Sequence, residues 1–237
     1  MQSVWTLLSW GPEGWLDDIA HGVFITVSLA LATLPFGLLI GFFVALAKQS
    51  QEPSLRLAGN VYTTIFRGLP ELLTLFLVYF GVQIGLQSAV RLVMPDATVE
   101  VNSFVSGMVA LGVVFSSYAS EVFLSAFRAI PRGQYEGGYA VGLSGGQTMR
   151  LVILPQLVRI ALPGLANLWL ILLKDTALVS AIGLSDILRQ TNIASRVSKE
   201  AFLFYGLACL IYLVLAIISS VGINAIERSV GRQAVQR

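Results

Sequence analysis

The sequence predicts an all-α integral membrane protein with five transmembrane helices, and three observations carry that prediction. Only 12% of the 237 residues are charged, about half the share usual in a soluble domain. The mean hydropathy is +0.79. The uncharged runs also have the length a bilayer demands, since a hydrocarbon core of about 30 Å needs about 20 mostly apolar residues in one helix. The same figures disfavour a free cytosolic enzyme, a disordered chain and a nucleic-acid binder. The formal net charge of +2 is too small to hold a polyanion. A single cysteine, Cys209, excludes an internal disulfide framework and a Cys-rich metal site. One histidine, His21, leaves little material for imidazole chemistry.

Each span follows from the spacing of charges. The first uncharged run occupies residues 22–47 and contains Pro35. In a membrane such a proline kinks a helix rather than ending it, because neighbouring groups satisfy the freed backbone. The stretch before it is acidic (Glu13, Asp17, Asp18) and lacks a basic leader, so it does not read as a signal peptide. The second run follows Arg67 and Glu71 and covers 72–90. The third covers 101–120, meets Glu121 and continues to Phe127. The fourth begins near Ile160, is interrupted by Lys174 and Asp175, and resumes to Ser185. The fifth, 201–226, carries no charge. The whole of 1–237 reads as one membrane domain, with no internal repeat.

Basic residues flanking the spans set orientation. With the N-terminus outside, Lys48, Arg56, Arg67, Arg128, Arg132, Arg150, Arg159, Arg228, Arg232 and Arg237 fall on the cytoplasmic side. Arg91, Arg189, Arg196 and Lys199 fall outside. This ten-to-four asymmetry predicts N-out and C-in. Trp5, Trp10 and Trp15 are then expected at the outer interface, where amphipathic rings favour headgroup level.

The longest inside segment, 129–159, is too polar to span and too patterned to be slack. Ser144 and Gln147 have the spacing of a capping box. Gly142 just before them can end a preceding helix in a left-handed conformation, and Pro155 breaks or bends the helix that follows. The pattern is helix, glycine turn, helix. By itself it fits either a surface offered to a partner or a hairpin that merely ties two spans together.

Glu136, Gly142, Leu154 and Pro155 fall at the spacing of the EAA motif, E-A-A-x3-G-x9-I-x-L-P. The chain thereby resembles the permease subunits of binding-protein-dependent ABC importers. Val152 stands where the motif prefers Ile, and Gly137 and Gly138 stand where it has alanines; a glycine costs a helix roughly 0.5–1 kcal/mol relative to alanine. Three more blocks resemble the polar amino acid branch of that family: RGLPELL at 67–73, SSYASEVFLSAFRAIPRGQ at 116–134 and LPGLANLWLILLKDTALVSAIGL at 162–184. Within it the similarity is greatest to the Q-type subunits of histidine/arginine/lysine/ornithine and opine importers, over about residues 20–228.

The resemblance implies the type I importer permease architecture in a bacterial inner membrane. It implies a helix at 136–143 that fits a cleft in a cytosolic ATP-binding subunit. Glu136, Gly137, Gly138, Ala140, Gly142, Leu154 and Pro155 are its coupling positions. The implied partners are two copies of that ATPase subunit, a second permease subunit (a related chain, which the Q-type likeness favours, or a second copy), a periplasmic solute-binding protein meeting the segments 87–102 and 185–200, and an amino acid solute. ATP and Mg belong to the partner, and no cofactor, catalytic residue or metal site is expected in this chain. It has no G-x4-G-K-[ST] loop, so the LSGGQ at 143–147 is a coincidence of spelling. An ion-coupled secondary transporter fits five spans without a repeat poorly. A non-transporting scaffold leaves the acids within the spans unexplained.

Ionisable residues at membrane depth are costly and face a cavity or a partner. Glu71, Tyr118, Glu121 and Asp175 are the candidate substrate pathway, with Glu71 and Glu121 the preferred acids for a cationic amino acid. A salt bridge from Glu121 to Arg128 is an equal alternative, and Arg67 is expected to snorkel to the headgroups. Lys174 and Asp175 point roughly 100° apart on a helix, which suits a structural or gating role.

Overall fold

The computed structural model describes residues 4–94 and 101–235. Arg237 and residues 95–100 of the segment 87–102 lie outside the described residues. Ten α-helices follow in order: α1 Val4–Leu7, α2 Leu16–Gln49, α3 Pro53–Gly68, α4 Glu71–Val93, α5 Ser103–Ala129, α6 Arg132–Ala140, α7 Gly145–Thr148, α8 Leu154–Asp175, α9 Ile187–Ser198 and α10 Ala201–Val235. A π-helical turn, Met149–Ile153, joins α7 to α8, and a 3-10 segment, Thr176–Ile182, prolongs α8. Among the described residues, five helical stretches are long and apolar enough to cross a membrane: α2, α4, α5, the run from α7 through the 3-10 segment, and α10.

The central element is α5, packed by α2, α3, α4 and α8. It reads as a spanning helix with serine, alanine and glycine on its inner face (Ser106, Gly107, Ala110, Ser116, Ser117, Ala119 and Ser120 are all buried). Small residues let helix backbones approach closely in lipid, where no hydrophobic drive pushes them together. Ser116, Ser117 and Ser120 satisfy themselves on backbone carbonyls of the preceding turn, as Ser117 Oγ does on Val114 O at 2.6 Å, whereas the buried Ser106 hydroxyl has no partner among the described residues. On α2, Gly41 shows the consequence: a Cβ there would lie 2.9 Å from the Ser116 carbonyl oxygen and from the Ala119 methyl. Many bulky side chains of α2, α4 and α10 point outward, Phe24, Leu77, Leu213 and Ile217 among them.

Pro35 lies within an unbroken α2, as expected. Pro155 behaves differently from a mid-helix breaker. It stands at the junction where the π turn Met149–Ile153 passes into α8, inside one continuous helical run, and a π turn is a place where the helical ladder can accommodate a residue lacking an N–H. The helix of span four therefore begins ahead of Ile160. Its interruption lies where the charges placed it: α8 ends at Asp175, the 3-10 segment follows, and Gly183 stops it at φ 92°. One element has no counterpart in the sequence reading. The amphipathic α3 is neither a span nor a loop, starting on Pro53 and burying Gly59 and Thr63 against α2 and α5. Trp5 and Trp10 are exposed, whereas Trp15 meets buried Phe204 edge-on at 6.4 Å.

Candidate functional site

Three of the four candidate pathway residues meet in one cavity. Glu71 opens α4 behind Pro70, where the helix N-terminus favours a negative group. Tyr118 projects from the middle of α5, and Asp175 closes α8. All three line the cavity, whose remaining wall is apolar: Leu75, Leu111, Phe115, Leu168 and Leu172 among others. The Glu71 and Asp175 carboxyls interact directly, within side-chain hydrogen-bonding reach. Lys174 is exposed and forms no ion pair among the described residues; its charge acts on Asp175 through space, but no cation touches the acid pair. The space is about 20 Å³, room for about one water. An amino acid enters only if α4, α5 and α8 part.

Glu121 lies elsewhere. It accepts from Lys48 Nζ, the basic residue in the last turn of α2, and pairs with Arg67 Nη1 of α3 at 3.4 Å. Lys48 also donates to Thr63 Oγ1 at 3.0 Å, and its side chain is only 7% exposed. The same Arg67 places its guanidinium 5.5 Å from the centre of the Tyr118 ring. The Arg128 bridge, the alternative weighed for Glu121, does not form among the described residues; α3 folds back onto α5 and brings the half-exposed Arg67 to the acid. The Tyr62 hydroxyl reinforces this docking, donating to Val113 O at 3.1 Å and sharing a hydrogen bond with Ser116 Oγ at 2.6 Å. Burial raises the Tyr62 pKa above its ordinary value. Sequence reasoning passed over Lys48, Tyr62 and Thr63. The signal that could have found them is the amphipathic pattern of 53–68, which needs an apolar face to rest on.

The third region is the loop between spans three and four. The capping box is present, with Gln147 N donating to Ser144 Oγ at 3.4 Å and Ser144 N to Gln147 Oε1 at 2.8 Å. Gly142 has φ 84°, a conformation that favours glycine. It ends α6 with Gly142 N donating to Tyr139 O and Leu143 N to Gly138 O. The two glycines that depart from the motif differ. Gly138 is buried, and a Cβ on it would reach 2.7 Å from Thr148 Oγ1, so close packing of α6 on α7 requires it. Gly137 faces open space. Glu136, Ala140 and the apolar side chains of Tyr139 and Val141 are exposed, while Leu154 packs inward onto the core. Gln156 Nε2 donates to Gln134 Oε1 at 3.0 Å and ties α8 to α6. The result is a braced helix with an exposed face. No group of three or more His, Cys, Asp or Glu that could hold a metal ion occurs among the described residues.

Comparison with known proteins agrees with this arrangement. The model of the family described as "Binding-protein-dependent transport system inner membrane component" matches residues 37–232. The nopaline transport system permease protein NocQ of Agrobacterium fabrum is 40% identical over 228 residues, covering 96% of this chain and 97% of that one. The histidine/lysine/arginine/ornithine transport system permease protein HisQ of Salmonella typhimurium is 37% identical over 215 residues, covering 91% and 94%. The arginine ABC transporter permease protein ArtQ of Haemophilus influenzae is 38% identical over 214 residues, covering 89% and 94%. Among solved structures, an amino acid ABC transporter with histidines superposes with a TM-score of 0.77 at 30% identity, covering 91% of this chain and 95% of that one. The MetNI methionine ABC transporter in an inward-facing form superposes at 0.73 with 18% identity, covering 91% and 97%, a likeness of fold alone.

Proposed function

This chain belongs to the family of binding-protein-dependent transport system inner membrane components, and from that premise we propose how its residues import a cationic amino acid or opine. It is the permease component of an ABC importer for amino acids or opines. The solute passes between α4, α5 and α8. Its cationic side chain meets Glu71 and Asp175, and the Tyr118 face adds cation–π attraction. The observation that carries this reading is the pair of facing carboxyls without a cation of their own, walled by apolar side chains. Two acids held together gain from any cation that enters, and that gain is larger where water is excluded. The relatives act on nopaline, octopine or basic amino acids by name, all guanidinium-, imidazole- or amine-bearing solutes.

Hydrolysis of ATP takes place in a separate subunit, present in two copies. That subunit receives the exposed face of α6, with Glu136 as anchor and Gly142 as the turn that sets the helix angle. ATP and Mg stay with that partner. A second permease subunit, a related chain, completes the pathway by rough twofold symmetry. The N-terminus lies outside and the C-terminus inside the bacterial inner membrane, with a solute-binding protein docking on the outer side. Closure of the ATPase pair moves α6, and the braced link through Gln134, Gln156 and the π turn passes that motion to α8 and hence to Asp175. This is a two-state switch driven by differential binding of ATP.

The test is ATP-dependent uptake of labelled arginine, histidine and glutamine into liposomes holding this chain with its partner subunits. Glu136→Ala is expected to uncouple uptake from ATPase activity while leaving assembly intact. Glu71→Gln is expected to lower arginine uptake more than glutamine uptake. Uptake without ATP, or equal loss for both solutes, overturns the respective half of the reading.

A further inference from the structure

The end of the molecule that carries α9 holds a second concave site, on residues the transport pathway does not use. α9 buries Ile187, Thr191, Ala194 and Ser195 against its neighbours α2 and α10. Its opposite stripe is Arg189, Asn192, Ile193 and Arg196, and this stripe lines a groove closed by Ser180 and by Tyr205 of α10. No carboxylate lines the groove. Arg189 Nη1 donates to the Ser180 carbonyl at 3.4 Å, which holds the guanidinium in place. Asn192 Nδ2 donates to the Tyr205 hydroxyl oxygen at 2.7 Å. Arg196 is exposed and forms no ion pair among the described residues. The acid beside this stripe, Asp186, is fully buried, accepts from the Arg189 backbone N–H at 2.9 Å and offsets part of the Arg189 charge.

The surroundings indicate what fills this groove. Ile193 lies between the two arginines and is 39% exposed. Tyr205 begins an exposed line with Cys209 and Leu213, at four-residue spacing, that runs down the fifth span. Phe202, in the first turn of α10, is 96% exposed. An apolar ring so bare at the end of a spanning helix is covered by lipid, and a tyrosine at that depth sits at headgroup level. A stripe of cations interleaved with apolar side chains is the pattern of an interfacial helix. Guanidinium forks match phosphate oxygens two at a time.

We propose that this groove binds the headgroup of an anionic phospholipid, with its phosphate on Arg189 and Arg196 and its acyl chains along the Tyr205–Cys209–Leu213 line. A soluble acidic protein would have no use for the continuity between the groove and the lipid-facing stripe.

The test uses the assembled importer in bilayers of equimolar phosphatidylcholine and phosphatidylglycerol, extracted gently and weighed intact by mass spectrometry. Wild type is expected to retain phosphatidylglycerol over phosphatidylcholine, with each arginine contributing about five-fold to the preference. Arg189→Gln with Arg196→Gln is expected to abolish it. Arg189→Lys with Arg196→Lys is expected to keep most of it, because the charge remains. Should the glutamine pair fail to assemble, Arg196→Gln alone gives the same readout, since that exposed side chain braces nothing. Equal retention of the two lipids by wild type, or a preference unchanged in the glutamine variants, overturns the proposal. So does a solute-binding protein whose affinity falls with Arg196→Gln while lipid retention stays the same.

Discussion

Two sets of acids lie against α5, one with α2 and α3 and the other with α4 and α8, and they are built in opposite ways. Glu121 is met by Lys48 and Arg67, so it joins α2, α3 and α5 into one unit. Glu71 and Asp175 meet each other, with no cation between them. Membrane depth penalises both arrangements, but only the first resolves the penalty within the chain. A carboxylate with its cation in place holds a fold together. A carboxyl pair lacking one is unfinished until a cationic solute arrives. Equal hydropathy along the sequence hides this difference in partners.

The largest expected effect breaks the unfinished pair. Glu71→Gln combined with Asp175→Asn is expected to lower ATP-driven uptake of arginine about 100-fold, equivalent to about 2.7 kcal/mol. The melting temperature of the assembled complex should stay level or rise, because a buried like-charge contact is removed. A collapse of stability with uptake preserved per folded complex would place this pair on the structural side of the comparison.

The converse variant attacks the finished set. Lys48→Met leaves Glu121 with Arg67 alone and is expected to destabilise the chain by about 2 kcal/mol, between the values for surface and buried pairs because Glu121 is 31% exposed. Thermal unfolding in detergent reads this, and Lys48→Met with Glu121→Leu should recover part of the loss. No recovery would mean that the pair contributes nothing of its own.

Selectivity sharpens the contrast at a smaller scale. Glu121→Gln is expected to change the ratio of arginine to glutamine uptake by less than about two-fold, whereas Glu71→Gln shifts it about ten-fold. Matching shifts from both would show that the solute senses both acids.

Asp186 adds a third kind of acid and the smallest expected effect. It caps α9 and is fully buried, and burial raises its pKa to about 6. The folded state therefore binds its proton more tightly than the unfolded chain does. Its contribution to stability is present below about pH 4 and is lost as pH rises through about 6. Asp186→Asn, which can still cap, is expected to flatten that dependence and to be more stable than wild type at pH 7. Equal slopes for the two proteins between pH 4 and 7 would show that Asp186 titrates normally.

Most of the spans could be read from the chain, because about 20 uncharged residues have few alternatives in a membrane. The turn at Gly142 and the box at Ser144 and Gln147 were readable for a similar reason, since both are local hydrogen-bond geometries written within four residues. The meeting of Glu71, Tyr118 and Asp175 was legible only in part. Each stood out as polar at depth, but the 103 residues between Glu71 and Asp175 contain nothing that says they face one another. Glu121 likewise stood out as an acid at depth, but its partners Lys48 and Arg67 come from α2 and α3, and α3 read as a connection.

By itself, then, the sequence determined what short-range physics decides: five spans, their order, the helix stop at Gly142, and the motif that marks the loop at 129–159. The tertiary structure alone decided which acid found a cation and which did not. Charge pairing at membrane depth depends on distances of a few ångströms between helices far apart in the chain, and those distances are set by small-residue packing of α2, α4 and α8 on α5. Composition and spacing carry the cost of burying a charge, and only the packed helices reveal what offsets it.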